Sequence, residues 1–200
     1  MAIITTAELA THVGIADALD NTTLAYAATA ACRNVQGWCG RTFDVASASS
    51  ARYYRVVDTS HVWIDDCTGV SAVALDSGDA GTWVTTLTTA DYTLWPVGGV
   101  GPLGAADWPY TGLVGRNYYR FLSSNVTTPA LKVTATWGWA AVPEAVKLAT
   151  LMIGAEFHRS RGGSVEMFTE EGQFIPIRRN GMVRDLLAPY RGSRAIPAVA

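Results

Sequence analysis

The chain has 200 residues, of which 49% are apolar and 16% charged, and a formal net charge of −2. That length can bury a core in one domain, or in a domain carrying a large insertion, without disulfides or metals as staples. Charge is sparse against a usual share of about 25%, which points to surface that meets other chains, and the mildly negative total excludes nucleic-acid binding through an overall positive field.

Thr5-Thr6-Ala7-Glu8 has the spacing of a capping box, so a short helix is predicted over about 6–13, stopped at Gly14. Asp20 and Asn21 offer an N-cap for a longer helix over about 21–39, ended by Gly40. Its apolar positions Leu24, Ala28, Ala31, Val35 and Trp38 recur at helical spacing and define one stripe. Between about 50 and 137 the period becomes strand-like. Runs at 52–57, 61–64, 70–76, 83–87, 92–95, 118–122 and 131–137 are rich in β-branched and aromatic residues and lie between Gly, Asp and Ser clusters. Seven such strands predict an antiparallel sheet or small barrel, with Asp65-Asp66 as a turn. The glycines and prolines of 96–115 predict one long mobile loop projecting from it.

Pro143 at the first helical position and Glu144 in the first turn open a third helix, about 143–161, apolar on most faces. Leu148, Leu151, Met152 and Ala155 are expected to face the stripe of the second helix, with Trp38 as a buried anchor. Gly162-Gly163 stops that helix, an acidic patch at Glu166, Glu170 and Glu171 follows, and 184–188 predicts a short C-terminal helix. The expected architecture is therefore α+β: one domain over 1–200, a helical core drawn from both chain ends, a β-rich insertion at about 50–137 and a flexible C-terminal arm at 189–200.

Chemical signals are few. Cys32, Cys39 and Cys67 form no C-x-x-C pair and have no nearby His, which argues against a disulfide framework or a zinc site and for cytosolic assembly. Cys32 and Cys39 sit about 10 Å apart along one helix, too far to bridge, and read as small core residues. The N-terminus lacks the charged start and apolar run of a signal peptide, and no stretch of about 18 apolar residues exists to span a membrane. Gly99, Gly101 and Gly104 match G-x-G-x-x-G, but Pro102 and Pro109 forbid the helix that a dinucleotide site requires. His12, His61 and His158 fall in no ligand spacing, and no nucleophile elbow or phosphate loop occurs. No catalytic, cofactor-binding or metal-ligating residue is nominated.

Trp63, Trp83, Trp137 and Trp139 would be the stacking platform of a carbohydrate-binding β module; core or interface packing is the favoured reading. Charge is unevenly spread: residues 1–158 hold eight bases and thirteen acids, residues 159–200 seven arginines and four acids. The arginines lie among apolar residues and the chain has two lysines, so the basic end reads as a protein interface rather than a phosphate track.

Five stretches occur in an order that resembles the small head-tail connector (adaptor, head completion) proteins of tailed bacteriophages. They are Ile4-Thr5-Thr6-Ala7-Glu8-Leu9, Val35-Gln36-Gly37-Trp38-Cys39-Gly40-Arg41-Thr42-Phe43, Asp91-Tyr92-Thr93-Leu94-Trp95-Pro96, Val133-Thr134-Ala135-Thr136-Trp137-Gly138-Trp139 leading into Val142-Pro143-Glu144-Ala145-Val146-Lys147, and Asp185-Leu186-Leu187-Ala188-Pro189-Tyr190-Arg191. The resemblance implies a structural virion protein and not an enzyme, assembled in the host bacterial cytoplasm and located in the neck. It implies a ring of identical subunits that joins portal to tail and continues the channel through which genomic DNA passes without sequence-specific binding. Its partners would be further copies of itself, the portal, and a tail-side neck or tail-terminator protein, with no membrane, cofactor or catalytic residue. C-terminal tails in that family reach the portal, so Arg184, Tyr190, Arg191, Arg194 and Ile196 are the candidate docking residues. The alternatives are another neck or tail protein, a sugar-binding module, or a hydrolase with an unrecognised site.

Overall fold

A computed structural model of the chain describes residues 2–16, 19–76, 81–117, 119–121, 130–160 and 180–192. The fold is α+β and divides into two compact units, one formed by residues 1–44 and 142–200 and the other by 45–141. The expected acidic patch at Glu166, Glu170 and Glu171 and the end of the arm lie outside the described residues.

The first unit is helical, with α1 (Thr6–Val13), α2 (Asn21–Cys39), α3 (Glu144–Ser160) and α4 (Gly181–Leu187). α1 begins at the capping box read from the sequence: Glu8 N–H donates to Thr5 Oγ1 at 3.2 Å, and Thr5 N–H donates to Glu8 Oε2 at 2.6 Å. These bonds satisfy amides that a helix start otherwise leaves without partners. α2 ends at Gly40, whose φ of 63° is left-handed, a conformation that glycine adopts without the Cβ clash other residues meet. Leu24, Ala27, Ala28, Ala31, Cys32, Val35 and Cys39 bury one face of α2, and α2 packs on α3.

Two expectations about that pairing need correction. α3 buries Val146, Ala149, Thr150, Ile153, Gly154 and Ala155, whereas Leu148 is 41% exposed and Leu151 and Met152 are half-buried. A helix apolar all round has no hydrophobic period from which to choose its inner face. Small residues won, since Gly154 lets Leu9 of α1 approach so closely that a Cβ there would sit 2.9 Å from Leu9 Cδ1. Thr150 can be buried because its hydroxyl donates to the Val146 carbonyl at 2.7 Å. Trp38 is half-buried rather than a core anchor, with the Arg191 guanidinium 5.2 Å above its ring.

The second unit is a six-stranded antiparallel sheet: β1 (Ser49–Tyr54), β2 (His61–Leu75), β3 (Thr85–Leu87), β4 (Tyr92–Trp95), β5 (Tyr110–Gly115) and β6 (Leu131–Trp137). The strand order is β1-β6-β2-β5-β4, and β3 pairs with β2 off that path. β6 alternates without a break, its Leu131, Val133, Ala135 and Trp137 buried and Lys132, Thr134 and Thr136 half-exposed. With Val62, Ile64, Val73, Leu75, Leu113 and Phe121 they form the core of the unit. Where the chain enters and leaves, Val45 bridges Trp139 and Ala46 N–H donates to Trp139 O at 2.8 Å. The two ends of the unit therefore lie side by side, which is what a segment inserted into another unit requires.

Four sequence expectations fail in this unit. The runs at 61–64 and 70–76 belong to one strand, β2, which pairs with β5 through its first half and β6 through its second. Asp65-Asp66 is no turn but the middle of that strand, beside a register shift between Trp63 and Cys67. The expected loop at 96–115 contains β5, paired on both sides, and its remainder is folded back on itself. There Trp108 N–H donates to Gly99 O at 2.9 Å and Gly101 N–H to Ala105 O at 2.8 Å, around the short 3-10 turns Val97–Gly99 and Pro102–Gly104. The run at 118–122 is not a strand in its described part, 119–121.

Candidate functional site

The paired aspartates singled out in the sequence are bound to structural partners, and the cysteines are buried. Asp65 Oδ2 accepts from Arg52 Nη1 and from the Tyr54 hydroxyl, both at 2.8 Å, and Asp66 Oδ2 accepts from Trp139 Nε1 at 3.3 Å. The carboxylate pair thus ties β2 to β1 and to the segment that follows β6. Cys32, Cys39 and Cys67 are free and buried. Burial pushes the Cys39 thiol up to about 11 and the Cys67 thiol up to about 12, so both stay protonated near neutrality and are poor nucleophiles. Gly101 lies against Trp108, whose Cδ2 would be 2.3 Å from a Cβ at that position, so the G-x-G-x-x-G spacing serves aromatic packing rather than a pyrophosphate. Among the described residues no group of three or more His, Cys, Asp or Glu is placed to hold a metal ion. An open groove of about 490 Å³ runs beside α2, lined by Ala25, Ala28, Thr29, Cys32, Arg33 and Gln36 among others. Its lining carries one thiol, that of the buried Cys32, and no paired acid and base.

What remains are surfaces. In the C-terminal segment, Asn180 caps α4 by accepting from Val183 N–H at 3.2 Å, while Val183 and Leu187 are buried. The chain then turns through Ala188–Tyr190 and is held against the end of α2. Tyr190 meets Phe43 edge-on at 6.2 Å, Arg191 covers Trp38, and Gly192 N–H donates to the Cys39 carbonyl at 2.7 Å. Residues 189–192 therefore belong to the helical unit. Of the five docking candidates, Arg184 and Arg191 are exposed, Tyr190 is half-buried, and Arg194 and Ile196 lie outside the described residues.

The tryptophans nominated as a sugar platform do not share one surface. Trp137 and Trp139 are buried in the β unit, whereas Trp63 is 47% exposed. Two smaller aromatic groups appear instead, at the opposite ends of the strand order. Near β4, Trp63, Gly112 and Trp95 lie in one cross-strand row, because Gly112 is the register partner of both tryptophans. His61 stacks on Trp63 at 4.0 Å and leans over Gly112, where a Cβ would sit 2.5 Å from its Nε2. Burial lowers the His61 pKa, so the imidazole is neutral at pH 7. On β1, Tyr53 is 53% exposed and packs on Trp83 at 5.2 Å. Sequence reasoning missed the first group, since its signal, paired exposed aromatics around a glycine, depends on a register set by residues 112 and 95.

No protein-family model matches this chain, and no curated protein sequence does. Solved structures do. A chain from the neck of an empty gene transfer agent particle, computed with sixfold symmetry, aligns with a TM-score of 0.55 at 15% identity, covering 98% of this chain and 92% of its own. A chain from the virion of the native particle gives 0.53 at 18% identity over 98% and 92%. A chain from the native neck, computed with twelvefold symmetry, gives 0.53 at 17% identity over 96% and 90%. The chain shares a fold, end to end, with these particle proteins.

Proposed function

We propose that this chain is a structural, non-enzymatic protein of the virion neck, which assembles as a ring of identical subunits between portal and tail. The observation that carries this reading is the end-to-end likeness to chains of particle necks, over 98% of this chain and 92% of the matched one. Both units of the fold are included in that span. The symmetry of those necks, sixfold in one and twelvefold in another, supports an arrangement of repeated subunits about an axis. The ring continues the DNA channel, and the formal charge of −2 suits a conduit that must not grip a polyanion. The portal and a tail-side neck or tail-terminator protein are its partners on either face.

The C-terminal arm docks on the portal. Arg184, Tyr190 and Arg191 sit at its root, and Arg194 and Ile196 supply a charge and an apolar anchor beyond it, the arginines pairing bidentately with portal carboxylates. Because residues 190–192 are packed on α2, the informative truncation removes 193–200 rather than everything from Pro189. We expect that truncation to leave the unfolding free energy within about 0.5 kcal/mol of the full chain and to abolish sedimentation with purified portal rings from the same genome. Undiminished co-sedimentation of the truncated protein would overturn the docking role of the arm.

A further inference from the structure

We propose that neighbouring subunits of the ring join through the two ends of the β sheet, the β4 edge of one copy adding antiparallel to the β1 edge of the next. This rests on the ring reading above. A ring built from identical subunits needs two different, complementary patches on each copy. The strand order β1-β6-β2-β5-β4 supplies two candidates, because among the described residues β1 pairs only with β6 and β4 only with β5. Soluble proteins blunt such edges with charge, proline or bulges. β1, Ser49–Tyr54, has no proline and one charged residue, Arg52, which is engaged by Asp65. β4, Tyr92–Trp95, has no charged residue.

Residue chemistry selects the orientation and register. If Tyr53 lies opposite Thr93 with the strands antiparallel, Ala51 meets Trp95 and the outward residues of both edges share one face. The small side chain then faces the large one, and Tyr53, with Trp83 packed on it, lies diagonal to Trp95, whose row continues through Gly112 to Trp63. Aromatic and small-large pairs of this kind stabilise adjacent strands, and the exposed aromatics of both ends become buried in an interface enriched for them. The same register brings Arg55, just after β1, opposite Asp91, just before β4. Asp91 is held ionised by the backbone amide and hydroxyl of Thr88, at 2.7 and 2.8 Å. Arg55 Nε is buried within the subunit and has no hydrogen-bond partner among the described residues. A parallel arrangement, or a shift by one residue, would lose that pair or turn the tryptophans away from the partner.

Introduced cysteines test the arrangement. The native thiols are buried, so Ala51→Cys and Thr93→Cys, both off the core, would be the reactive ones when the assembled protein is treated with a short bis-maleimide. The double variant is expected to give a ladder of multimers, a mixture of the two single variants only dimers, and either single variant alone no cross-link. Rings visible by electron microscopy without a ladder from the double variant would overturn the edge contact while leaving the ring standing. Absence of any oligomer would overturn the ring reading and this inference with it. Dimers from one single variant alone would mean like-to-like pairing, contrary to the proposal. So would retention on a glycan array that Trp95→Ala abolishes without altering assembly, which would make the β4 face a sugar platform.

Discussion

Trp137→Ala is expected to lower the free energy of unfolding by about 3–5 kcal/mol, the usual cost of truncating a buried tryptophan. The side chain is 8% exposed and holds three residues of β1 against β6. Its Nε1 donates to the Ser50 carbonyl at 2.9 Å, the Arg52 guanidinium lies 4.5 Å above its ring, and the Tyr54 ring is 6.0 Å away. Truncation leaves a cavity beside the Arg52–Asp65–Tyr54 network and removes the donor for Ser50, a second loss that adds to the apolar one. Urea denaturation of the wild type and the variant, followed by circular dichroism, measures it as a fall in midpoint at constant slope. A loss below about 1 kcal/mol would mean that Trp137 does not organise the sheet.

Gly154→Leu should cost about 3 kcal/mol, the upper part of the usual range for overpacking a core. At that position a Cβ alone would approach Leu9 Cδ1 to 2.9 Å and Leu9 Cδ2 to 3.2 Å, with Ala31 Cβ at 3.7 Å. Leu9 and Ala31 are fully buried, so a leucine there must push α1 and α2 away from α3. Gly154→Ala is the control. Its strain falls on the ends of a leucine side chain, and the gain in helix propensity, about 1 kcal/mol, offsets it, so a change within about 1 kcal/mol is expected. Equal stability of the leucine variant and the wild type would place the closest packing of the helical unit elsewhere.

The parts of this fold that were legible in the sequence are those fixed by neighbours along the chain. The capping box at Thr5 and Glu8, the left-handed stop at Gly40 and the extents of α1, α2 and α3 all depend on contacts within one turn. The inner face of α3 was not legible, because Leu148, Leu151 and Met152 are as apolar as Val146 and Ile153, and the choice is made by how closely α1 can approach Gly154. Partners distant in sequence misled the reading of the β unit. A pair of aspartates suggests a turn until Arg52, Tyr54 and Trp139 are seen to satisfy it. Gly112 and Gly115 suggest a loop until His61 and the Tyr119 carbonyl, 2.2 Å from where a Cβ of residue 115 would sit, show why a strand must carry glycine there. The assembly surfaces were the least legible. The arginines of the C-terminal segment mark it as basic, but nothing local reveals that Tyr190 and Arg191 fold back on Phe43 and Trp38, or that Tyr53, Trp63 and Trp95 are exposed on one sheet.

The neck assignment is tested most directly by electron microscopy of purified portal rings incubated with this chain. The account predicts a second ring of density stacked coaxially on one end of the portal, with the channel open through both. Portal rings that stay unchanged while the added protein remains monomeric at every concentration would contradict it.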